Sequence, residues 1–158
     1  MFFGTLLHFC YELSNDNILV ALFSPVNESI WEHLKLLFFP SIFTLILANI
    51  LNINDGNYLL VKLKGIIIGL LFIIVFYYTY TGILGFSITI LDILSFYISC
   101  IISYIYTKKH YNKYATYNKF ILYLIILLIS IIFIIFTFIP IHINLFIDPV
   151  TNKYGIIK

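Results

Sequence analysis

Long apolar runs separated by short polar stretches organise this chain. Residues 1–13 are apolar with a polar edge. The polar stretch 14–17 follows, then a short apolar run at 18–23. Ser24 and Pro25 signal a helix start, because Ser caps well and Pro fits the first helical position. The helix predicted there covers 25–51 and is wholly apolar from residue 36 apart from small hydroxyl and amide side chains, with a kink expected at Pro40. Further spans are predicted at 65–84, 86–106 and 120–139. The last has 20 residues and no charge, enough to cross an apolar layer about 30 Å thick. Pro140 ends it, and the tail 141–158 carries the turn signal Asp148-Pro149. The first segment is too short to span, since about 11 residues rise only about 16 Å; it is expected to be the second half of a membrane helix, either trimmed or partial. The fold expected is all-α: one domain over 1–158, a polytopic transmembrane bundle of about four full spans plus an N-terminal half-span.

Composition strengthens this reading. The chain is 62% hydrophobic, 19% aromatic and 10% charged, against about 45–50% apolar and about 25% charged in soluble domains. A soluble chain of 158 residues could not clothe that much apolar surface. All nine cations are Lys. The absence of Arg argues against nucleic-acid recognition, which favours the bidentate guanidinium. Cys10 and Cys100 fall at different depths and are expected to stay unpaired.

Charge placement gives a topology. Lys62 and Lys64 fall in the predicted loop 52–64, and Lys108, Lys109, Lys113 and Lys119 in the linker 107–119. These loops lie two spans apart, so they share a side, and the positive-inside rule places it in the cytoplasm. Residues 12–27 and 141–158 then lie outside, with Glu12, Asp16, Glu28, Glu32, Asp92 and Asp148 on that side. Intramembrane polar groups are costly and face the bundle interior or a wet cavity. An acidic, outward-facing pocket is therefore expected, and it favours a cation.

Its candidate residues are His8, Glu12, Asn27, Glu28, Trp31, Glu32, His33, Lys35, Tyr80, Asp92 and Asp148. Glu28, Trp31, Glu32 and Lys35 share helical spacing and would form one stripe, lining a pocket or locking helices together through an ion pair and an interfacial Trp. His33 would point away from it, and His8 and Glu12, four apart, would face the same way and hydrogen-bond each other. His8, Glu12, Glu28, Glu32, His33 and His142 include metal-ligating types, but no metal motif such as H-E-x-x-H is present, so neither metal nor cofactor is expected. Asp92 would cap its helix or meet a neighbouring Lys.

Three stretches carry a resemblance. They are Leu7-His8-Phe9-Cys10-Tyr11-Glu12, then Leu22-Phe23-Ser24-Pro25-Val26-Asn27-Glu28-Ser29-Ile30-Trp31-Glu32-His33-Leu34-Lys35 with Phe38-Phe39-Pro40, and the closing Phe136-Thr137-Phe138-Ile139-Pro140 with Asp148-Pro149 through Tyr154-Gly155-Ile156. Together they resemble a family of small uncharacterised bacterial integral membrane proteins. The resemblance implies a bacterial inner-membrane location and no assigned activity. Leu13, where that family tends to have Trp, and Pro140, which stands alone where Pro-Pro is frequent, depart from it.

The functional expectation is binding or transport of a small polar or cationic ligand or a lipid headgroup. The alternatives are a structural or accessory membrane subunit, or a membrane-embedded hydrolase or transferase using Glu28 or Glu32 as general base. Expected partners are the bilayer, such a ligand, and a second copy or a membrane partner subunit.

Overall fold

A computed structural model describes residues 1–51, 56–111 and 117–156. Among them the chain is helical, in the order α1 (Phe2–Leu13), α2 (Ile18–Ala21), α3 (Ile30–Ile50), α4 (Gly56–Leu84), α5 (Thr89–His110) and α6 (Lys119–Phe138). Helices α3 to α6 are each long and apolar enough to cross a membrane. Their outward faces keep many large apolar side chains exposed, such as Ile83, Ile90, Phe120 and Leu128, as a lipid-facing surface requires.

Several predicted boundaries move. Helix α3 starts at Ile30 rather than at 24–25, because Ser29 is the working cap: its Oγ accepts the Glu32 amide at 3.4 Å. Residues 24–29 form an irregular, largely buried approach to the helix. Pro40 lies inside α3 without ending it. Helix α4 begins well before residue 65, so Lys62 and Lys64 belong to it and not to a loop. Its 29 residues run about 43 Å, longer than the apolar layer. Lys108 and Lys109 lie in the last turn of α5, where cations suit the helix dipole. The remainder of the two predicted lysine loops, at 52–55 and 112–116, lies outside the described residues.

Small residues set the closest packing. Ser95, Ser99, Ser103 and Thr107, four apart along α5, are all buried and face α4. A Cβ on Gly65 would stand 2.7 Å from the Ser103 carbonyl, and one on Gly69 would stand 3.0 Å from the Ser99 carbonyl. Such small-residue seams hold membrane helices together where apolar burial offers no drive. Three of these hydroxyls return to their own helix: Ser95 donates to the Asp92 carbonyl, Ser99 to the Phe96 carbonyl and Thr107 to the Ser103 carbonyl. Gly4 of α1 makes the same kind of approach to the Leu36 carbonyl of α3, which Pro40, lacking an N–H, leaves without its usual helical donor. Gly85, at φ +81°, closes α4 by donating its amide to the Thr81 carbonyl at 2.7 Å and turns the chain into α5.

One end of the bundle gathers the polar residues. There the start of α3, the end of α4, the start of α5 and the end of α6 meet residues 12–29 and the tail 139–156. The tail folds back over the bundle: the Leu145 carbonyl accepts the Trp31 amide at 3.0 Å, and Asn27 Nδ2 donates to the Gly155 carbonyl at 2.8 Å.

Candidate functional site

Two separate constellations arise from what reads in sequence as a single stripe. The first is a buried lock. Lys35 is 0% exposed and Glu32 is 2% exposed. Their side chains pair at 2.7 Å, and neither has a spare partner-seeking atom. Lys35 Nζ also donates to the Ala21 and Ser24 carbonyls, at 3.0 and 3.2 Å. Glu32 Oε2 accepts the Val26 amide at 3.1 Å, and Oε1 accepts the Thr137 hydroxyl at 2.9 Å. The pair thereby ties α2, the 22–29 approach, α3 and α6 together. Trp31 serves the same scaffold: its ring sits 4.8 Å from both Phe133 and Phe146, joining α3, α6 and the tail. It is packed on the tail rather than projecting as a membrane-surface anchor. Asn27 and Asp148 are structural too. Asn27 Oδ1 accepts the Ser29 amide. The buried Asp148 carboxylate accepts the Val150 amide at 2.9 Å and the Thr151 hydroxyl at 2.7 Å, fixing the tail's turn.

The second constellation is open. Because α3 starts only at Ile30, Glu28 sits off the helix and swings away from the Trp31–Glu32–Lys35 face. Its carboxylate lies 3.7 Å from His8 Nε2 and 3.4 Å from His33 Nε2. His33 therefore does not point away from Glu28, and His8 pairs with Glu28 rather than Glu12, which stands exposed at the end of α1. The two imidazole rings stack, 5.4 Å between centroids and 29° apart. His33 Nδ1 donates to the Ser29 carbonyl at 2.9 Å, which fixes that ring. His8 Nδ1 is buried without a hydrogen-bond partner. The Glu28 side chain is 47% exposed. Its pKa is held below the ordinary value of 4.5, first by the hydrogen bond from His33 and then by the positive charge of both rings, with burial working against them.

These groups line a cavity of about 400 Å³. Asp92 of α5 faces it as well, as do Thr5 of α1, Ser87 and Thr89 at the α4–α5 turn, and Pro149 and Val150 from the tail. Asp92 lies in the first turn of α5 without a capping hydrogen bond, and among the described residues it pairs with no Lys; it accepts the Tyr80 hydroxyl at 2.5 Å. Tyr80 in turn accepts the Ile88 amide at 3.3 Å and so braces the turn beneath the cavity. Glu32, Lys35, Trp31, Asn27, Tyr80 and Asp148 do not line it, whereas His8, Glu28, His33 and Asp92 do. His142, another of the potential ligands, is stacked on Tyr154 in the tail.

Thr5, Ser87 and Thr89 escape sequence reasoning because each is an ordinary residue made relevant only by the packing. Thr137, the partner of Glu32, is the exception, since it lies in one of the stretches that carry the family resemblance.

The family model that matches residues 1–156 is a family of unknown function, DUF6512. The chain belongs to DUF6512. No curated protein matches it, and no solved structure does. The three stretches that resemble a membrane-protein family thus fall within one DUF6512 domain covering almost the whole chain. In this member the Asn27–Lys35 stretch divides its labour: Glu28 and His33 face the cavity, and Asn27, Ser29, Trp31, Glu32 and Lys35 hold the scaffold that presents them.

Proposed function

We propose that this DUF6512 protein binds a small polar, positively charged ligand in the cavity walled by His8, Glu28, His33 and Asp92. The observation that carries the reading is the convergence of two carboxylates and two imidazoles, drawn from α1, the α3 approach, α3 and α5, on one cavity of about 400 Å³. No Lys lines it among the described residues. The two acids therefore favour a cation over an anion, and the surrounding apolar wall strengthens their field by excluding water.

The protein sits in a bacterial cytoplasmic membrane, with the cavity at the extracytoplasmic end. Lys62, Lys64, Lys108 and Lys109 support this orientation. They occupy the start of α4 and the end of α5, opposite the cavity, as the positive-inside rule favours for the cytoplasmic side.

The accessory-subunit reading gains from the Glu32–Lys35 lock, which is helix glue of the kind that reading invokes. The lock is internal to one chain, however, and does not account for the open cluster. For an enzyme, Glu28 is the better-placed base, because the oxygens of Glu32 already accept three donors.

Native mass spectrometry from a mild detergent tests the binding reading. Wild type should carry a stoichiometric small mass that Asp92→Asn and Glu28→Gln lose while remaining folded. A wild-type spectrum with no added mass after incubation with cell metabolites, or one in which both variants keep the mass, would remove the cavity as the binding site.

A further inference from the structure

The open cluster supports a sharper statement, which rests on the cavity reading above. We infer that His8, Glu28 and His33 form a binding site for a divalent transition-metal cation of the zinc class, with the cation's remaining coordination positions facing the cavity.

One ligand atom from each of the three residues lies within 4.8 Å of the other two. Tetrahedral zinc sites with ligands at about 2.0–2.1 Å place neighbouring ligand atoms about 3.3 Å apart. Glu28 meets the two rings through its two oxygens, Oε1 3.7 Å from His8 Nε2 and Oε2 3.4 Å from His33 Nε2, each close to that spacing. Binding one ion requires the three ligand atoms to draw together from within 4.8 Å, and rotation of the His8 ring supplies movement, since its Nδ1 has no hydrogen-bond partner among the described residues.

The ring chemistry points the same way. His33 gives its Nδ1 hydrogen to the Ser29 carbonyl, so a neutral His33 turns the bare lone pair of Nε2 toward Glu28. A lone pair and a carboxylate 3.4 Å apart repel unless a proton or a cation lies between them. A neutral His8 can meet Glu28 with an Nε2 hydrogen, but His33 can do so only as an imidazolium, stacked 5.4 Å from the His8 ring. A divalent cation between the carboxylate and His33 takes the place of that proton and leaves the imidazole neutral. A backbone carbonyl holding the far nitrogen is the usual support for a ligating His. Two imidazoles and one carboxylate suit zinc, cobalt or iron rather than magnesium or calcium, which prefer oxygen ligands.

No single element supplies the site. His8 comes from α1, Glu28 from the approach to α3 and His33 from its first turns. The spacing His8…Glu28…His33 matches no short metal motif, so a search for local ligand patterns passes over it. Three protein ligands are one short of a closed structural zinc site, and the cavity lies on the open side, with Asp92 across it.

The test is titration of the full chain in nanodiscs with Co²⁺, followed by visible ligand-field absorption, and with Zn²⁺ in competition. Wild type should bind one equivalent of Co²⁺ with tetrahedral-type bands. Zn²⁺ should displace it, and millimolar Mg²⁺ or Ca²⁺ should not. His33→Gln and Glu28→Gln should each weaken binding by at least about 30-fold, and His142→Ala should leave it unchanged. His8→Gln provides a second ligand variant whose folding is safer, because that side chain is 28% exposed and holds no backbone group. A wild type with no stoichiometric cobalt spectrum overturns the metal site, as does a folded His8→Gln protein with wild-type cobalt affinity. If the wild type then still carries an organic mass in the native spectrum, only the metal inference fails and the cavity reading stands. If neither cobalt nor any other mass binds, both fall.

Discussion

Replacing Lys35 by Met tests the lock most directly. Met fills a similar volume, so the experiment removes charge and hydrogen bonds with little change in packing. It strands the Glu32 carboxylate, 2% exposed, with the Val26 amide and the Thr137 hydroxyl as its remaining donors. It also strips the Ala21 and Ser24 carbonyls of their shared donor. Breaking one side of a buried ion pair costs about 3–5 kcal/mol, because an uncompensated charge stays behind. Lys35 lies only five residues inside α3, about 8 Å from its start, so water can approach the stranded carboxylate in the folded variant and the lower end of that range applies. About 3 kcal/mol corresponds to a folded-to-unfolded ratio on the order of 10²-fold smaller. The double variant Glu32→Gln/Lys35→Met removes both charges and should recover most of the loss, giving a coupling of about 2 kcal/mol or more in a double-mutant cycle. Equilibrium unfolding in mixed micelles, followed by far-UV circular dichroism, supplies the four numbers. A loss below about 1 kcal/mol for Lys35→Met, the size of an exposed pair, would refute the reasoning, and so would a double variant as unstable as the sum of the singles.

Other perturbations follow from the same contacts. Gly65→Ala places a methyl 2.7 Å from the Ser103 carbonyl and should cost about 1–3 kcal/mol of stability through overpacking; Gly82→Ala, with nothing within 4 Å, should be neutral or slightly stabilising, and thermal melts compare the two. For Glu28 the pH dependence has a definite sign. Its folded pKa lies below 4.5, so its contribution is complete above that pH and is lost as pH falls through the folded value. Wild type should therefore lose stability more steeply than Glu28→Gln below about pH 4.5, and matching acid limbs in the two melting profiles would contradict the pairing. Trp31 is the chain's single Trp, so its fluorescence reports on tail docking. Asp148→Ala frees the Val150 amide and the Thr151 hydroxyl, and it should shift the emission to the red and expose the tail to protease; unchanged emission would mean that the tail docks without its turn.

Much of this architecture is legible in the sequence, because a bilayer imposes a strong one-dimensional rule. Twenty apolar residues without a charge at 120–139 leave few alternatives, and the structure places α6 within one residue of that range. The ends of the helices are harder. Ser24-Pro25 and Ser29 both offer caps, and local preference cannot choose between them. The folded chain uses Ser29, and Lys35, whose Nζ takes up the carbonyls of Ala21 and Ser24, ties the preceding chain to α3 along an irregular path. That decision then separates the carboxylates. Had α3 begun at residue 25, Glu28 and Glu32 would share a face, one turn apart. With the start at Ile30, Glu28 lies on the approach and turns to His8 and His33, while Glu32 turns inward to Thr137.

The same displacement explains why the chemistry of the Asn27–Lys35 stretch cannot be read from spacing. Helical periodicity groups Glu28 with Glu32 and sets His33 apart, whereas the folded chain groups Glu28 with His33 and sets Glu32 apart. A buried lysine five residues into α3 ties down the chain before the helix, and from that chain Glu28 reaches the histidines of two helices at the cavity. Lys35→Met therefore makes a demand beyond stability. If the lock positions Glu28, the variant should weaken Co²⁺ binding even under conditions where it remains folded, although Lys35 touches neither histidine nor the cavity. Full cobalt affinity in folded Lys35→Met would show that the approach segment holds its path without the lock, and the link between the two constellations would be broken.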